Sequence, residues 1–197
     1  SNPDNPVIGD RAFGAAPELV GEMGSATIGG LQDNMVVACG KHFPGHGDTA
    51  TDSHKELPVV DAGLQRLRDT EFPPFQQAIR YGVASLMTAH VLYRALDPEA
   101  PATLSSAVIQ RLLREEFRYE GVVFTDDLEM HAIIDHDGIG EAAVRSFVAG
   151  CDVLLICKDQ DQVMTAMQAM ERAVKDGRIT QDRLEQSLVR VAQLKAR

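Results

Sequence analysis

Residues 41–54, KHFPGHGDTATDSH, place three histidines, two aspartates and a lysine on fourteen positions. So dense a set of titratable groups suits proton transfer, polar ligand binding or metal ligation. Asp52 and His54 are two apart, and on an extended segment such residues face the same side. The carboxylate can then hydrogen-bond the imidazole, fix its tautomer and raise its basicity, which makes a general acid/base. Such a pair needs a partner. GVVFTDDLEM, residues 121–130, supplies one: Asp126 stands at the tip of an apolar run, where a strand can hold a nucleophile rigidly. Of the two adjacent carboxylates, Asp126 and Asp127, one is expected to cap the segment that follows.

Other chemistries compete for the same loop. Histidines on loops are often solvated, and Gly45 and Gly47 can serve a tight turn alone. His42, His46, Asp48, Asp52 and His54 together offer enough nitrogen and oxygen ligands for zinc or a dinuclear site. Against a metal, Pro44 and Gly45 interrupt the loop, and the spacing matches no pair of histidines on a helix. The reading expects no metal and no cofactor.

The elements that must position these groups follow a repeated pattern. Met35 to Cys39, Ala84 to Thr88, Val122 to Thr125 and Val153 to Cys157 are short apolar runs without polar alternation, as in buried parallel strands. Helical patterns separate and follow them: Leu64 to Arg80, Ser105 to Phe117, Gly140 to Ala149, Gln160 to Lys175, and a last helix from about Gln181. In the second of these, Val108, Ile109, Leu112, Leu113 and Phe117 share one face behind a Ser105 or Ser106 cap. Repeated β-α units predict a parallel α/β fold. In such folds the site lies beyond the C-terminal ends of the strands, where Lys41-His42, His90 and Asp126-Asp127 fall. A closed barrel needs eight strands and the sequence shows four.

Composition narrows the partners. At 197 residues, with 44% hydrophobic and 24% charged, the chain suits a single globular domain over 1–197. A formal charge of −10, with no block of Lys and Arg, excludes a nucleic-acid partner, and no apolar run is long enough to span a membrane. Three cysteines, Cys39, Cys151 and Cys157, two of them in apolar strand-like runs, predict buried reduced thiols and a cytoplasmic setting.

Taken together, NPVIGDRAFG (5–14), KHFPGHGDTATDSH (41–54), MTAHV (87–91), GVVFTDDLEMHAI (121–133) and AGCDVLLIC (149–157) resemble glycoside hydrolase family 3 nearly end to end. Within it they are similar to the bacterial β-N-acetylhexosaminidases that recycle cell-wall sugars. The resemblance implies a (β/α)8 TIM-barrel type of fold, and Asp126 as a nucleophile that forms a covalent glycosyl-enzyme with retention. It implies His54, oriented by Asp52, as the group that protonates the leaving oxygen and then activates water. Arg11, Lys41 and His42 match positions that bind sugar hydroxyls, and His90 and Met130 are expected to line the pocket. The Asp52-His54 pair sets these hexosaminidases apart from the β-glucosidases of the family, the nearest alternative. Retaining glycosidases usually pair two carboxylates; here an imidazole with a pKa near 6.5 stands in for one, which suits proton transfer near neutrality. A neutral imidazole also repels phosphate less than a carboxylate does, so phosphorolysis is a side reading.

Against the family's eight β-α units, only the C-terminal four are evident. An isolated half barrel would expose an edge and an apolar inner face. The sequence therefore predicts either a longer polypeptide or self-association of two halves, and a non-catalytic sugar-binding module is a further alternative. A monodisperse folded monomer of 21.4 kDa would contradict both expectations.

Overall fold

Apolar strand residues can be buried only if helices cover them, and the covering begins before the first strand. The computed structural model describes residues 5, 8–49 and 57–197, with the backbone alone for residues 10 and 135–137. Pro17, whose missing N–H costs nothing at a helix start, opens α1 (Pro17–Gln32). After it come β1 (Cys39–Phe43) and the short β2 (Val59–Val60). The helix α2 (Leu64–Arg66) continues through a wide turn, Leu67–Glu71, into α3 (Phe72–Arg80). Next are β3 (Ser85–Thr88), β4 (Leu92–Tyr93) and a π-helix, Ala107–Glu116. β5 (Val122–Asp127), α4 (His131–Ala149), β6 (Val153–Leu155), α5 (Gln160–Lys175) and α6 (Gln181–Lys195) complete the order.

The main sheet has the order β1-β3-β5-β6, and every pairing is parallel. Lys41 pairs with Met87 and Met87 with Phe124, so one cross-sheet row lies just below the C-terminal ends of the strands. β2 and β4 form a separate parallel pair. Helices pack the sheet through a core of Phe43, Leu86, Val123, Ile109 and Leu113, all wholly buried. Phe43 meets Phe75 and Phe117 edge to face, with ring centroids 5.2 and 6.1 Å apart. The architecture is the parallel α/β arrangement of a barrel type that the sequence implied.

Several boundaries differ from the sequence expectation. The first strand is not Met35 to Cys39 but starts at Cys39. Met35, Val36 and Val37 are exposed, and Met35, at φ 62°, turns the chain out of α1. α1 itself was not expected, because GEMGSATIGG is rich in glycine, a poor helix former. α4 starts nine residues before the expected Gly140, and Gly138, at φ 66°, breaks its helical geometry. β6 ends at Leu155, two residues short of Cys157. The expectation of buried thiols is also corrected. Only Cys151 is buried, while Cys39 opens a strand that has no neighbour on its outer side among the described residues, and Cys157 lies past the end of β6. All three are unpaired. Ser105, not Ser106, caps the π-helix, its Oγ accepting from the Val108 N–H at 3.2 Å.

Candidate functional site

Parallel strands put their C-terminal ends on one side, and three chemistry-bearing stretches meet there. β1 delivers Lys41 and His42, the turn after β3 delivers His90, and the tip of β5 delivers Asp126 and Asp127. The Asp126 side chain is 23% exposed, and its Oδ2 lies 3.5 Å from His42 Nε2. Its Oδ1 accepts the Asp127 N–H at 2.9 Å, which fixes the carboxylate against its own backbone. Asp127 takes the capping part: its Oδ1 accepts the Glu129 N–H at 3.1 Å.

His42 is buried to 9% side-chain exposure, and its Nδ1 has no hydrogen-bond partner among the described residues. Burial lowers its pKa to about 4, against the pull of the Asp126 carboxylate; Lys41, His46 and Arg11 add smaller repulsions in the same direction as burial. At neutral pH the ring is therefore uncharged. The His46 ring stands edge-on to it, with centroids 5.7 Å apart.

The loop after β1 is pinned by residues the sequence reading passed over. Asn5 Nδ2 donates to the His46 carbonyl at 2.8 Å and to Thr49 Oγ1 at 3.1 Å. Thr49 Oγ1 also lies 3.0 Å from His46 Nδ1. Tyr93, buried at the end of β4, donates its hydroxyl to the Gly45 carbonyl at 2.8 Å. Gly45, at φ 139°, tolerates a geometry other residues resist, and a Cβ there would sit 2.8 Å from Glu71. Local sequence spacing carries no signal for Asn5, which acts 41 residues away.

Arg11 closes a short 3-10 turn, Gly9–Arg11, and is exposed, as is Lys41. Both line a cavity of about 670 Å³ that includes His42 and runs on between α1 and α3. The lining of that cavity does not include Asp126. Met130 is buried before α4, and its N–H donates to the Asp127 carbonyl at 3.1 Å. His90 is wholly buried beneath the strand tips, with both ring nitrogens engaged by protein atoms, and so presents no free nitrogen to a pocket. Asp52 and His54 lie outside the described residues. Glu129, also passed over, accepts the backbone N–H groups of Cys157, Lys158 and Asp159 at 2.8, 2.6 and 3.0 Å. Among the described residues, no three His, Cys, Asp or Glu side chains are placed to share a metal ion. No helix of those residues is long and apolar enough to cross a membrane.

Comparison with known proteins bears on this arrangement. Residues 1–194 match the glycosyl hydrolase family 3 N terminal domain. A β-hexosaminidase of Nitrosomonas eutropha is 39% identical over 191 residues, covering 95% of this chain and 55% of that protein. A solved glycoside hydrolase family 3 β-N-acetylglucosaminidase from Paenibacillus sp. str. FPU-7 superposes with a TM-score of 0.98 at 48% identity, over 99% of this chain and 37% of that one. The β-N-acetylglucosaminidase of Thermotoga maritima gives a TM-score of 0.89 at 31% identity, over 96% of this chain and 41% of that one. The chain spans about half the length of the curated relatives it matches. With the strand tips, the Lys41-His42 stretch and the Asp126 turn all falling inside a match that runs almost end to end, the chain belongs to glycoside hydrolase family 3.

Proposed function

We propose that this chain carries the nucleophile side of a retaining glycosidase that removes terminal, non-reducing N-acetyl-β-D-glucosamine, from cell-wall fragments or related glycosides in the cytoplasm. Asp126 attacks the anomeric carbon, the glycosidic C–O bond breaks, and a covalent glycosyl-enzyme forms. His54, oriented by Asp52, gives its proton to the leaving oxygen. The same imidazole then takes a proton from water, which attacks the anomeric carbon and releases Asp126 with net retention. Arg11, Lys41 and His42 bind sugar hydroxyls. No metal or cofactor takes part in this scheme.

The observation that carries the reading is the Asp126 carboxylate itself. It sits at the tip of a central parallel strand, tied at Oδ1 by the Asp127 N–H at 2.9 Å, with Oδ2 facing a neutral His42 at 3.5 Å. One oxygen is held by the backbone and the other faces the neutral imidazole. The names of the relatives, β-hexosaminidase and β-N-acetylglucosaminidase, support the sugar. On this reading the rest of the pocket comes from strands beyond β1 and β6, which have no outer neighbours among the described residues.

Intact mass spectrometry after exposure to a fluorinated N-acetylglucosaminyl trapping reagent tests the assignment. The expected result is a gain of one sugar that maps to Asp126. An adduct elsewhere, or faster turnover of an aryl glucoside than of the aryl N-acetylglucosaminide, overturns it. His54→Ala is expected to slow substrates with poor leaving groups much more than activated ones, because only the former need protonation. Equal losses would deny His54 that role.

A further inference from the structure

Beneath Asp126 the fold buries a second imidazole that the proposed reaction leaves unused. Thr88 and Thr103 are as deeply buried as His90, and the three form a connected chain. Thr88 Oγ1 lies 2.8 Å from Thr103 Oγ1, and Thr103 Oγ1 lies 2.8 Å from His90 Nδ1. His90 Nε2 lies 3.0 Å from the Asp127 carbonyl oxygen.

The donors in this chain can be assigned by elimination. A carbonyl oxygen only accepts, so His90 Nε2 must carry a proton. Burial keeps the ring neutral against the pull of Asp126 and Asp127, so Nδ1 is an acceptor and Thr103 donates to it. Thr103 Oγ1 also lies 3.1 Å from the Ala89 carbonyl and Thr88 Oγ1 3.4 Å from that of Phe124, both longer than the 2.8 Å bonds of the chain, so the Thr103 hydrogen goes to Nδ1 and its oxygen takes the hydrogen of Thr88. The bonds run one way, from Thr88 through Thr103 and His90 to the Asp127 carbonyl, and they cross from the end of β3 to the end of β5. A single ring orientation and a single tautomer satisfy every member.

The end point gives the chain its consequence. Asp127 is gripped at its carbonyl by His90 and by the Met130 N–H, and its own N–H holds the Asp126 carboxylate at 2.9 Å. We propose that His90 is a positioning residue, locked by Thr103 and Thr88, that aims the Asp126 carboxylate through the Asp127 backbone and does not touch the sugar. This rests on Asp126 being the nucleophile.

Two measurements on the whole chain test it. In a nitrogen-15 imidazole spectrum, His90 is expected to show one signal set, protonated at Nε2 and unmoved between about pH 5 and about pH 8, where an ordinary histidine titrates. Thr103→Val should mix the tautomers. Proton on Nδ1, or a titrating ring, in the unsubstituted protein overturns the inference. The second measurement is the rate of adduct formation at Asp126 with the fluorinated reagent. His90→Leu is expected to lower the rate roughly 100-fold at unchanged half-saturation, the scale on which a misplacement of about 1 Å acts. His90→Gln, which can still donate to the Asp127 carbonyl, should recover most of it. If His90→Gln is as slow as His90→Leu although folded, or if half-saturation alone changes, His90 does not position Asp126. If the unsubstituted chain forms no adduct, the nucleophile reading fails, and the hydrogen-bonded chain is decided by the spectrum alone.

Discussion

Nε2 of His42 and Oδ2 of Asp126 face each other at 3.5 Å, across a contact that is buried on the imidazole side and 23% exposed on the carboxylate side. The pair is a neutral ring beside a carboxylate, since burial outweighs the attraction that would charge His42. A neutral ring places no positive charge against the carboxylate, which suits the nucleophilic role proposed for it.

That balance makes stability depend on pH. The folded pKa of His42, about 4, lies below the unfolded value near 6.5, so the unfolded chain binds the proton more readily. The contribution is complete above about pH 6.5 and is lost as pH falls toward 4, to a limit of about 3 kcal/mol. Urea unfolding at a series of pH values should show the loss, and His42→Phe should flatten it. His90, also buried neutral, adds a loss of the same sign, so the comparison between variants is what counts. Parallel curves for the two proteins would refute the assignment.

Asp126→Asn is expected to leave the fold intact and abolish adduct formation. The amide oxygen can still accept the Asp127 N–H that Oδ1 accepts now, so urea midpoints should move by less than about 1 kcal/mol. Nucleophilicity is what the substitution removes. Substantial residual reaction would move the nucleophile to Asp127, whose Oδ1 caps the turn at Glu129.

How much of this was legible depended on whether neighbours in sequence are neighbours in space. β3 and β5 were read almost to the residue because both faces of a central parallel strand are buried, which leaves an unbroken apolar run. β1 was misplaced because its sequence, CGKHF, carries polar groups of the candidate site, while the apolar Met35 to Val37 before it is an exposed turn and connecting segment. α1 was missed because its four glycines lower helix propensity. A Cβ on Gly21 would fall 2.2 Å from Gln77 Oε1 and one on Gly29 2.8 Å from the Tyr81 hydroxyl, both ends of side chains, while Gly24 and Gly30 face open space. Asp126, Lys41 and His42 were legible from strand ends. The supports were not: Asn5, Thr103 and Glu129 act across 41, 13 and 28 or more residues.

At the opposite end of the sheet, Asp152 is a structural hub. Its carboxylate is wholly buried and accepts from Arg114 at 2.7 Å, the Val123 N–H at 3.0 Å and Ser187 at 2.6 Å, with Arg190 and Arg183 at 3.2 and 3.4 Å. Asp152→Asn leaves three guanidinium groups with no counter-charge, Arg114 among them nearly as buried as the acid. The expected cost is about 3–5 kcal/mol in urea unfolding. Arg190, at 23% side-chain exposure, can be hydrated when its partner is lost, and Arg190→Ala should cost about 1 kcal/mol or less. Equal costs for the two substitutions would mean that the hub is not organised around the carboxylate.

Glu129 tests whether the turn after β5 also governs the next loop. Both of its carboxylate oxygens are spent on three consecutive backbone N–H groups, Cys157 to Asp159, and Asp159 in turn caps α5 by accepting the Asp161 N–H at 2.8 Å. Charge-assisted bonds of this kind, in a setting open to water, stabilise the loop by about 1–2 kcal/mol. Glu129→Ala should therefore speed amide hydrogen exchange at Cys157, Lys158 and Asp159 roughly tenfold while the β5 amides keep their protection, since loop opening is local. Exchange unchanged at those three amides would show that the loop is held by α5 alone. Exchange raised across β5 as well would show that Glu129 holds the strand tip, and with it Asp126, in place.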